Sequence, residues 1–271
     1  MVEPSPWEKA GPGRLVTASF VFVALLALVL VVVAVFAVLD GDLVGAVGSA
    51  AIAVYFITVV GLGTVLWWRP RRASALSGVV TEGGGLTFRY SRWAYFWAVG
   101  TLLLHLAALL LFGLFLLRDG DTTGQVIAII CFAGAVWFAL AALRLLPGAP
   151  GHLRLTPAGL EHRGHGLLHR LPWESVADVG PTTINGSPVV VVLPSASAPV
   201  DVSFAWPTRI GGRRGFLLPS MVVRGMWLAG DPLTVYRTVR HYHANPEHRT
   251  ELSTEAARQR VEQGRFVLPR R

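Results

Sequence analysis

Three histidines in the polar half of the chain have a spacing that suggests metal chemistry. His162, His165 and His169 lie three and four residues apart, and imidazole nitrogens are common ligands of zinc. The residues around them alternate as in β-strands that cross a turn, so helical spacing would not bring the rings together. No cysteine accompanies them, and no His-Glu-x-x-His pattern is present. We therefore expect exposed strand histidines, with no metal and no cofactor.

The nucleophiles lack the neighbours that catalysis needs. The pattern Gly-x-Ser-x-Gly does not occur, and Cys131, the single cysteine, lies within a long apolar run. Ser195, Ser197 and the scattered histidines do not follow the order of a known triad. The glycines at 83–85 are not followed by the Lys-Ser/Thr pair of a phosphate loop. We expect a protein that is not an enzyme.

The composition indicates a membrane protein. The chain is 53% hydrophobic and 15% charged, whereas about a quarter of the residues in a soluble domain are charged. Four nearly charge-free runs cover residues 15–39, 43–68, 93–117 and 123–146, and each is long enough to cross a bilayer. The first is too long for the apolar part of a signal peptide, and no cleavage site follows it. We therefore predict four membrane spans, with the first one retained.

Basic residues predict how these spans are oriented. Arginines concentrate between spans two and three and after span four, whereas the two short connections hold one basic residue between them. Since Lys and Arg are enriched in cytoplasmic loops, the N-terminus and the C-terminus should both face the cytoplasm. We expect a multi-pass protein of the cell membrane.

Aromatic and basic side chains cluster where spans two and three meet the predicted cytoplasmic surface. The aromatic members are Trp67, Trp68 and Trp93, and the basic members are Arg69, Arg71, Arg72 and Arg92. Tryptophans at this depth form an interfacial belt, and each nearby cation gains about 1 kcal/mol beside anionic headgroups. The net charge of +8 could also suit a nucleic acid, but no nucleic-acid-binding motif accompanies it. Anionic lipid is therefore the expected partner, and simple anchoring explains the cluster without lipid specificity.

One strongly titratable side chain, His105, lies deep in a predicted span. Such residues are functional candidates by default. Proton-coupled transport normally needs ionisable partners, and no Asp, Glu, Lys or Arg lies in the interior of any span. We therefore favour a neutral histidine bonded to a neighbouring helix. Small residues at four-residue spacing, such as Gly45, Ser49 and Ala53, indicate close helix packing, within one copy or in self-association through the spans.

The chain contains what looks like an internal repeat. Each pair of spans is joined by Asp-Gly-Asp and is followed by a Gly-Leu turn, first at Gly85-Leu86 and then at Gly159-Leu160. A duplication and a chance similarity of hydrophobic hairpins are both open, since Asp-Gly is also ordinary turn chemistry. Two strands alone are marginal in water, so we expect the first hairpin, residues 79–90, to pack with the domain that follows span four.

Alternating residues after span four predict a β domain. Strands are expected at 152–156, 159–163, 167–171, 188–193, 200–206 and 216–223, with a strand or a short helical turn at 173–179. Asp231-Pro232 then marks the start of an amphipathic helix. A polar helix over residues 247–263 should follow.

These elements carry a resemblance. Seven short strands closed by one amphipathic helix is the order of a pleckstrin-homology-like (PH-like) domain. Leu155-Thr-x-x-Gly159-Leu160 is similar to the first hairpin of bacterial PH-like domains, and Leu171-Pro-Trp-Glu-Ser-Val176 looks like their Ile/Leu-Pro-Trp step. The chain, including the tail that begins at Asn245-Pro246, resembles uncharacterised actinobacterial multi-pass membrane proteins. The arginine- and glycine-rich stretch 209–215 departs from the pattern.

The predicted organisation has six parts. They are a cytoplasmic tail (1–14), a transmembrane hairpin (15–68), a β-hairpin connection (69–92), a second transmembrane hairpin (93–146), a cytoplasmic PH-like barrel or sandwich with its closing helix (147–244) and a helical tail (245–271). PH-like folds host many binding surfaces, so the fold does not fix an activity. We expect a non-enzymatic binding or scaffolding module at the membrane, acting through lipid or protein. A small transporter or channel subunit built from the two hairpins is the alternative.

Overall fold

A computed structural model describes residues 5–7, 13–68, 73–119, 121–145, 150–164, 167–196, 201–204 and 220–267. The chain divides into two compact units. The helical unit comprises Pro12–Val65 and Phe96–Leu146, and the β unit comprises Met1–Gly11, Leu66–Tyr95 and Pro147–Arg271.

Four long helices account for the apolar runs. They are α1 (Arg14–Leu39), α2 (Leu43–Gly63), which continues as a π-helical turn (Thr64–Trp68), α3 (Arg92–Asp119) and α4 (Thr122–Leu145). All four are long and apolar enough to cross a membrane, which indicates a membrane protein and agrees with the predicted spans to within two residues at each end.

The two Asp-Gly-Asp connections cap the helices that follow them. The Asp42 carboxylate accepts a hydrogen bond from the Gly45 amide at 2.9 Å, and the Asp121 carboxylate accepts one from the Gly124 amide at 2.9 Å. A side chain at either glycine would collide with the capping aspartate. Asp42 and Asp121 are therefore ordinary helix N-caps.

The first sheet of the β unit has six antiparallel strands in the order β1-β2-β3-β4-β5-β8. They are β1 (Val79–Glu82), β2 (Gly85–Arg89), β3 (His152–Thr156), β4 (Gly159–Gly164), β5 (Leu167–Pro172) and β8 (Asp201–Phe204). The connection between spans two and three thus supplies the first two strands, and Leu86 of β2 lies opposite Leu155 of β3. The prediction that the 79–90 hairpin packs with the domain after span four is confirmed.

The second sheet has three antiparallel strands in the order β6-β7-β9. They are β6 (Val176–Ile184), β7 (Ser187–Pro194) and β9 (Met221–Arg224), and a short 3₁₀ turn, Trp173–Ser175, leads from β5 into β6. Asn185 and Gly186 join β6 to β7 with positive φ at both residues, as a tight hairpin requires. Both described sheets are open.

Side chains of both sheets meet the C-terminal helices in one hydrophobic core. Helix α5 (Pro232–Ala244) begins at Asp231, whose carboxylate accepts a hydrogen bond from the Leu233 amide at 3.0 Å. This cap was predicted, and so was the apolar face of α5 that Val235 and Val239 bury. The C-terminal helix of the predicted fold is therefore present.

The polar helix predicted over residues 247–263 is not continuous. The structure has a 3₁₀ segment, Pro246–Ser253, and then α6 (Glu255–Gln263), which starts at the Thr254 cap. Leu252, Ala257 and Val261 are buried in the shared core. The segment therefore completes the β unit and does not trail behind it.

Candidate functional site

His105 connects three helices of the helical unit. Its Nδ1–H donates to the Thr101 carbonyl of its own helix at 2.7 Å, which leaves Nε2 to accept a hydrogen bond from the Tyr55 hydroxyl of α2 at 2.9 Å. The ring also stacks on Phe138 of α4 with centroids 4.8 Å apart. Nδ1 is therefore bonded within α3 and Nε2 is bonded to α2, which agrees with the expectation that His105 bonds to a neighbouring helix.

The predicted membrane-surface cluster is described in part. Arg92 and Trp93 begin α3 with exposed side chains, and Trp67 is half-buried in the π-helical turn. Arg69, Arg71 and Arg72 lie outside the described residues, as does the side chain of Trp68. Arg92 and Trp93 thus keep the exposure that contact with lipid headgroups would need.

The strand histidines are buried, and the expectation that they are exposed is wrong. His162 and His169 are opposite each other on β4 and β5, and their side chains are 4% and 0% exposed. Each shares a strand face with a core leucine, Leu160 or Leu171, because residues two apart point the same way. His165 lies outside the described residues.

Burial disfavours charge on Tyr90, which contacts His162, and on His169. The Tyr90 hydroxyl lies 2.6 Å from His162 Nε2, and burial raises the pKa of Tyr90, so this hydroxyl stays protonated. Burial likewise lowers the pKa of His169. Among the described residues no group of three His, Cys, Asp or Glu side chains is arranged to hold a metal ion. The pair is best understood as part of the core.

A third histidine of the β unit, His241 on α5, is hydrogen-bonded to the backbone of Val267. The Val267 amide donates to His241 Nδ1 at 3.1 Å, so the ring donates through Nε2 to His248 Nδ1, 3.2 Å away. Burial lowers the pKa of His241 and favours this neutral form. Next to it, Glu251 accepts hydrogen bonds from the Tyr242 hydroxyl and from Nε and Nη2 of Arg260. These contacts are structural and join α5, the 3₁₀ segment and α6.

A residue of the N-terminal tail occupies a groove on the β unit. Trp7 is 7% exposed, and its indole N–H donates to the Thr182 carbonyl of β6 at 2.7 Å. Its ring meets the face of Tyr236 on α5 edge-on, with centroids 5.7 Å apart and planes at 71°. Pro6 beside it is exposed. We call this site, formed by Thr182 and Tyr236, the tryptophan groove.

The sequence contained a signal for this site that our interpretation missed. Trp7 is a large apolar residue in a short polar tail, outside every predicted span. It also belongs to a Pro-Trp-Glu triplet that recurs at 172–174, inside the predicted β domain. Tryptophan buries 150–250 Å² and usually finds a partner for its N–H when buried. A lone tryptophan beside a proline thus indicates an anchor.

The chain was compared with protein families, with curated proteins and with solved structures, and it matches none of them. The geometry above is therefore the basis for a functional conclusion.

Proposed function

We propose that the chain is a non-enzymatic integral membrane protein that presents a PH-like β domain at the cytoplasmic face of the cell membrane as a binding or scaffolding module. One observation carries the proposal. Trp7, the β1–β2 hairpin and the strands after span four contribute to a single hydrophobic core, so a tail, a connection between spans and the C-terminal region form one folded domain in a chain that also has four membrane-length helices.

This core supports the proposed topology. Three polar segments that fold together must share one side of a membrane, because a bilayer cannot accommodate a folded sheet within its hydrocarbon layer. An even number of spans between them fits that requirement. The arginines of the same segments favour the cytoplasmic side.

The resemblance and the exposed residues support the rest of the proposal. Two antiparallel sheets closed by α5 agree with the order of a PH-like domain, and related actinobacterial membrane proteins are the proposed family. Exposed Arg92 and Trp93 suit contact with anionic headgroups. The proposed partners are therefore the lipid surface and a protein held by the β domain.

Cysteine accessibility in intact cells tests the topology. In a C131A background, Asp40→Cys places a thiol in the connection between α1 and α2, and Ala256→Cys places one on the exposed face of α6. We expect a membrane-impermeant maleimide to label the first in intact cells and the second only after permeabilisation. Labelling of Ala256→Cys in intact cells would place the β domain outside and refute the proposal.

Site-specific photo-crosslinking tests the binding role. A crosslinking residue at exposed Thr183 of β6 is compared with one at Trp137, which is exposed on α4 of the helical unit. We expect discrete protein adducts from the β domain that are absent when the crosslinker is on α4. If positions across the exposed surface of the β domain give no discrete adduct in cells, the scaffolding role is wrong.

A transporter remains the second candidate, because an ionisable ring lies among three helices of the helical unit. The hydrogen bond from Tyr55 on α2 to that ring supports a cross-link between helices and not a proton carrier. Proton flux into vesicles containing the wild type or His105→Ala separates the two roles. A flux that His105→Ala abolishes would favour transport, and equal flux would rule out transport through this residue.

A further inference from the structure

We propose that the tryptophan groove is a docking site for an extended, tryptophan-anchored peptide of a partner protein, and that residues 5–7 occupy it in cis as a competing ligand. This proposal rests on the proposed binding function and deepens it, because it names the chemistry of the partner. The groove is built from Thr182 of β6 and Tyr236 of α5.

The tryptophan groove contacts the tryptophan side chain through two groups. The Thr182 carbonyl accepts a hydrogen bond from the indole N–H at 2.7 Å. A phenylalanine has no N–H and could not donate this bond. The Tyr236 ring receives the edge of the indole, which is a favoured geometry for two aromatic rings. The guanidinium carbon of Arg240 also lies over the Tyr236 ring, 5.9 Å from its centroid. The wall against which Trp7 packs is therefore aromatic.

The strand beside the groove can also hold a peptide backbone. Among the described strands β6 is at the edge of its sheet, paired with β7 alone. Edge strands present unpaired N–H and C=O groups, which extended peptides can pair with. Thr182 and Thr183 are exposed at this edge. A peptide that runs along β6 could therefore add main-chain hydrogen bonds to the tryptophan anchor.

The occupant in cis is anchored through its tryptophan. Of the three described tail residues, Pro6 is exposed and Ser5 is half-buried, and the Ser5 hydroxyl accepts a hydrogen bond from the Trp7 amide within the tail itself. The indole hydrogen bond to Thr182 and the ring contact with Tyr236 are both made by the Trp7 side chain. A tethered ligand competes through its local concentration, which is in the millimolar range for short flexible linkers. A partner peptide must overcome that competition.

A peptide titration of the full-length protein in lipid nanodiscs tests the groove. The probe is a fluorescent peptide with the sequence of residues 2–11, and a Trp→Ala version of it is the matched control peptide. Three chains are compared, namely the wild type, Trp7→Ala and Pro6→Ala, the last being a change at the exposed neighbour. We expect Trp7→Ala to bind the probe about tenfold more tightly than the other two, as a local concentration of about 1 mM and a Kd near 100 μM would give.

The control peptide should bind none of the three chains. Hydrogen exchange in β7 and β9 shows whether the Trp7→Ala chain stays folded. The proposal would be overturned if that chain is folded and does not bind the probe. Equal binding of the probe and its Trp→Ala version would overturn it as well. Pairing of Trp7→Ala with wild-type chains that the probe competes away would overturn the assignment to a partner protein, because the occupant would then be the tail of a second copy.

A second variant covers the case in which Trp7→Ala does not fold. A protease site inserted between Trp7 and Arg14 allows the tail to be released after folding. A released tail that dissociates and rebinds supports the proposal, whereas a tail that stays bound until the β unit unfolds makes Trp7 a permanent part of the core and overturns it. The maleimide experiment reports the side of the membrane alone, so failure of the topology and failure of the groove are distinguishable.

Discussion

Two tryptophans that each follow a proline, Trp7 and Trp173, make the same kind of hydrogen bond in different parts of the chain. Trp7 donates its indole N–H to the Thr182 carbonyl at 2.7 Å, and Trp173 donates its own to the Thr156 carbonyl at 2.8 Å. Both side chains are buried, at 7% and 1% exposure. The chain around them differs, because Trp173 joins β5 to β6 whereas Trp7 belongs to a terminal tail.

That difference separates a structural anchor from a ligand. Trp173 cannot leave without breaking two strands, and its own amide donates to the Ala158 carbonyl. The Arg249 guanidinium covers its ring at 4.9 Å. Trp7 lies outside every strand and helix of the β unit, and its described partners are Thr182 and Tyr236. The two tryptophans make similar hydrogen bonds, but their removal should have different effects on stability. The difference depends on whether the flanking backbone belongs to strands of the sheet.

The largest predicted effect is the loss of Trp173. Trp173→Ala should lower the free energy of unfolding of the β unit by about 3–5 kcal/mol, as for large aromatic residues removed from a core. That is a large part of the stability of a typical domain. Urea unfolding followed by hydrogen exchange in the first sheet measures it. Trp137→Ala, on the exposed side of α4, is the control, and equal losses in the two variants would contradict the structural role of Trp173.

Acidification should weaken the β unit that holds both anchors. Burial lowers the pKa of His152, His169, His241 and His243, so these histidines bind fewer protons in the folded state than in the unfolded state. Stability therefore rises with pH. It should be fully present above the unfolded histidine pKa of about 6.5 and be lost as the pH falls from about 7 towards 5.

His169→Leu tests the origin of that loss. Neither ring nitrogen of His169 has a hydrogen-bond partner among the described residues, so leucine removes a titrating group without removing a bond. The slope of unfolding free energy against pH should become shallower in His169→Leu than in the wild type. The carboxylates Glu82, Glu161 and Glu251, whose pKa values are lowered by bonded cations, act at lower pH, below about 4.5. An unchanged slope would show that His169 does not contribute.

Much of the fold was predictable, because its signals are local or repetitive. Membrane-length apolar runs gave the four helices, and the Asp231-Pro232 cap gave the start of α5. The marginal stability of two isolated strands was enough to predict that the 79–90 hairpin joins the later sheet. Whether the two halves are a true duplication stays a prediction.

The parts that were missed depend on which face or segment meets the core. His162 lies two residues from Leu160 and thus on the same strand face, so its burial could have been inferred from alternation. Trp7 is marked only as a large apolar residue in a polar tail, and the sequence does not identify its partners, which are 175 and more residues away. The break at Ser253 was hidden because α6 and the 3₁₀ segment look polar, and Leu252 is buried by long-range packing.

Arg249 should give an intermediate effect that sharpens the comparison. It covers the Trp173 ring and donates to the Tyr242 and His243 carbonyls at the end of α5. Arg249→Met should cost about 1–2 kcal/mol through the lost cation–π contact and hydrogen bonds. Arg258→Met, which breaks an exposed ion pair with Glu255, is the matched control and should cost close to zero. Equal losses would show that Arg249 does not support Trp173.

The smallest effect should come from Trp7→Ala. Burying about 200 Å² of tryptophan at about 25 cal/mol/Å² contributes about 5 kcal/mol, and ordering three tail residues at about 1.5 kcal/mol each offsets most of it. These two terms leave a net loss of about 0.5 kcal/mol, against about 3–5 kcal/mol for Trp173→Ala. Hydrogen exchange should rise in β6 and α5 next to Thr182 and Tyr236 and stay unchanged in β3 and β4. A loss as large as that of Trp173→Ala would mean that the two anchors are equivalent, and that the tail is built into the domain as firmly as its own strands.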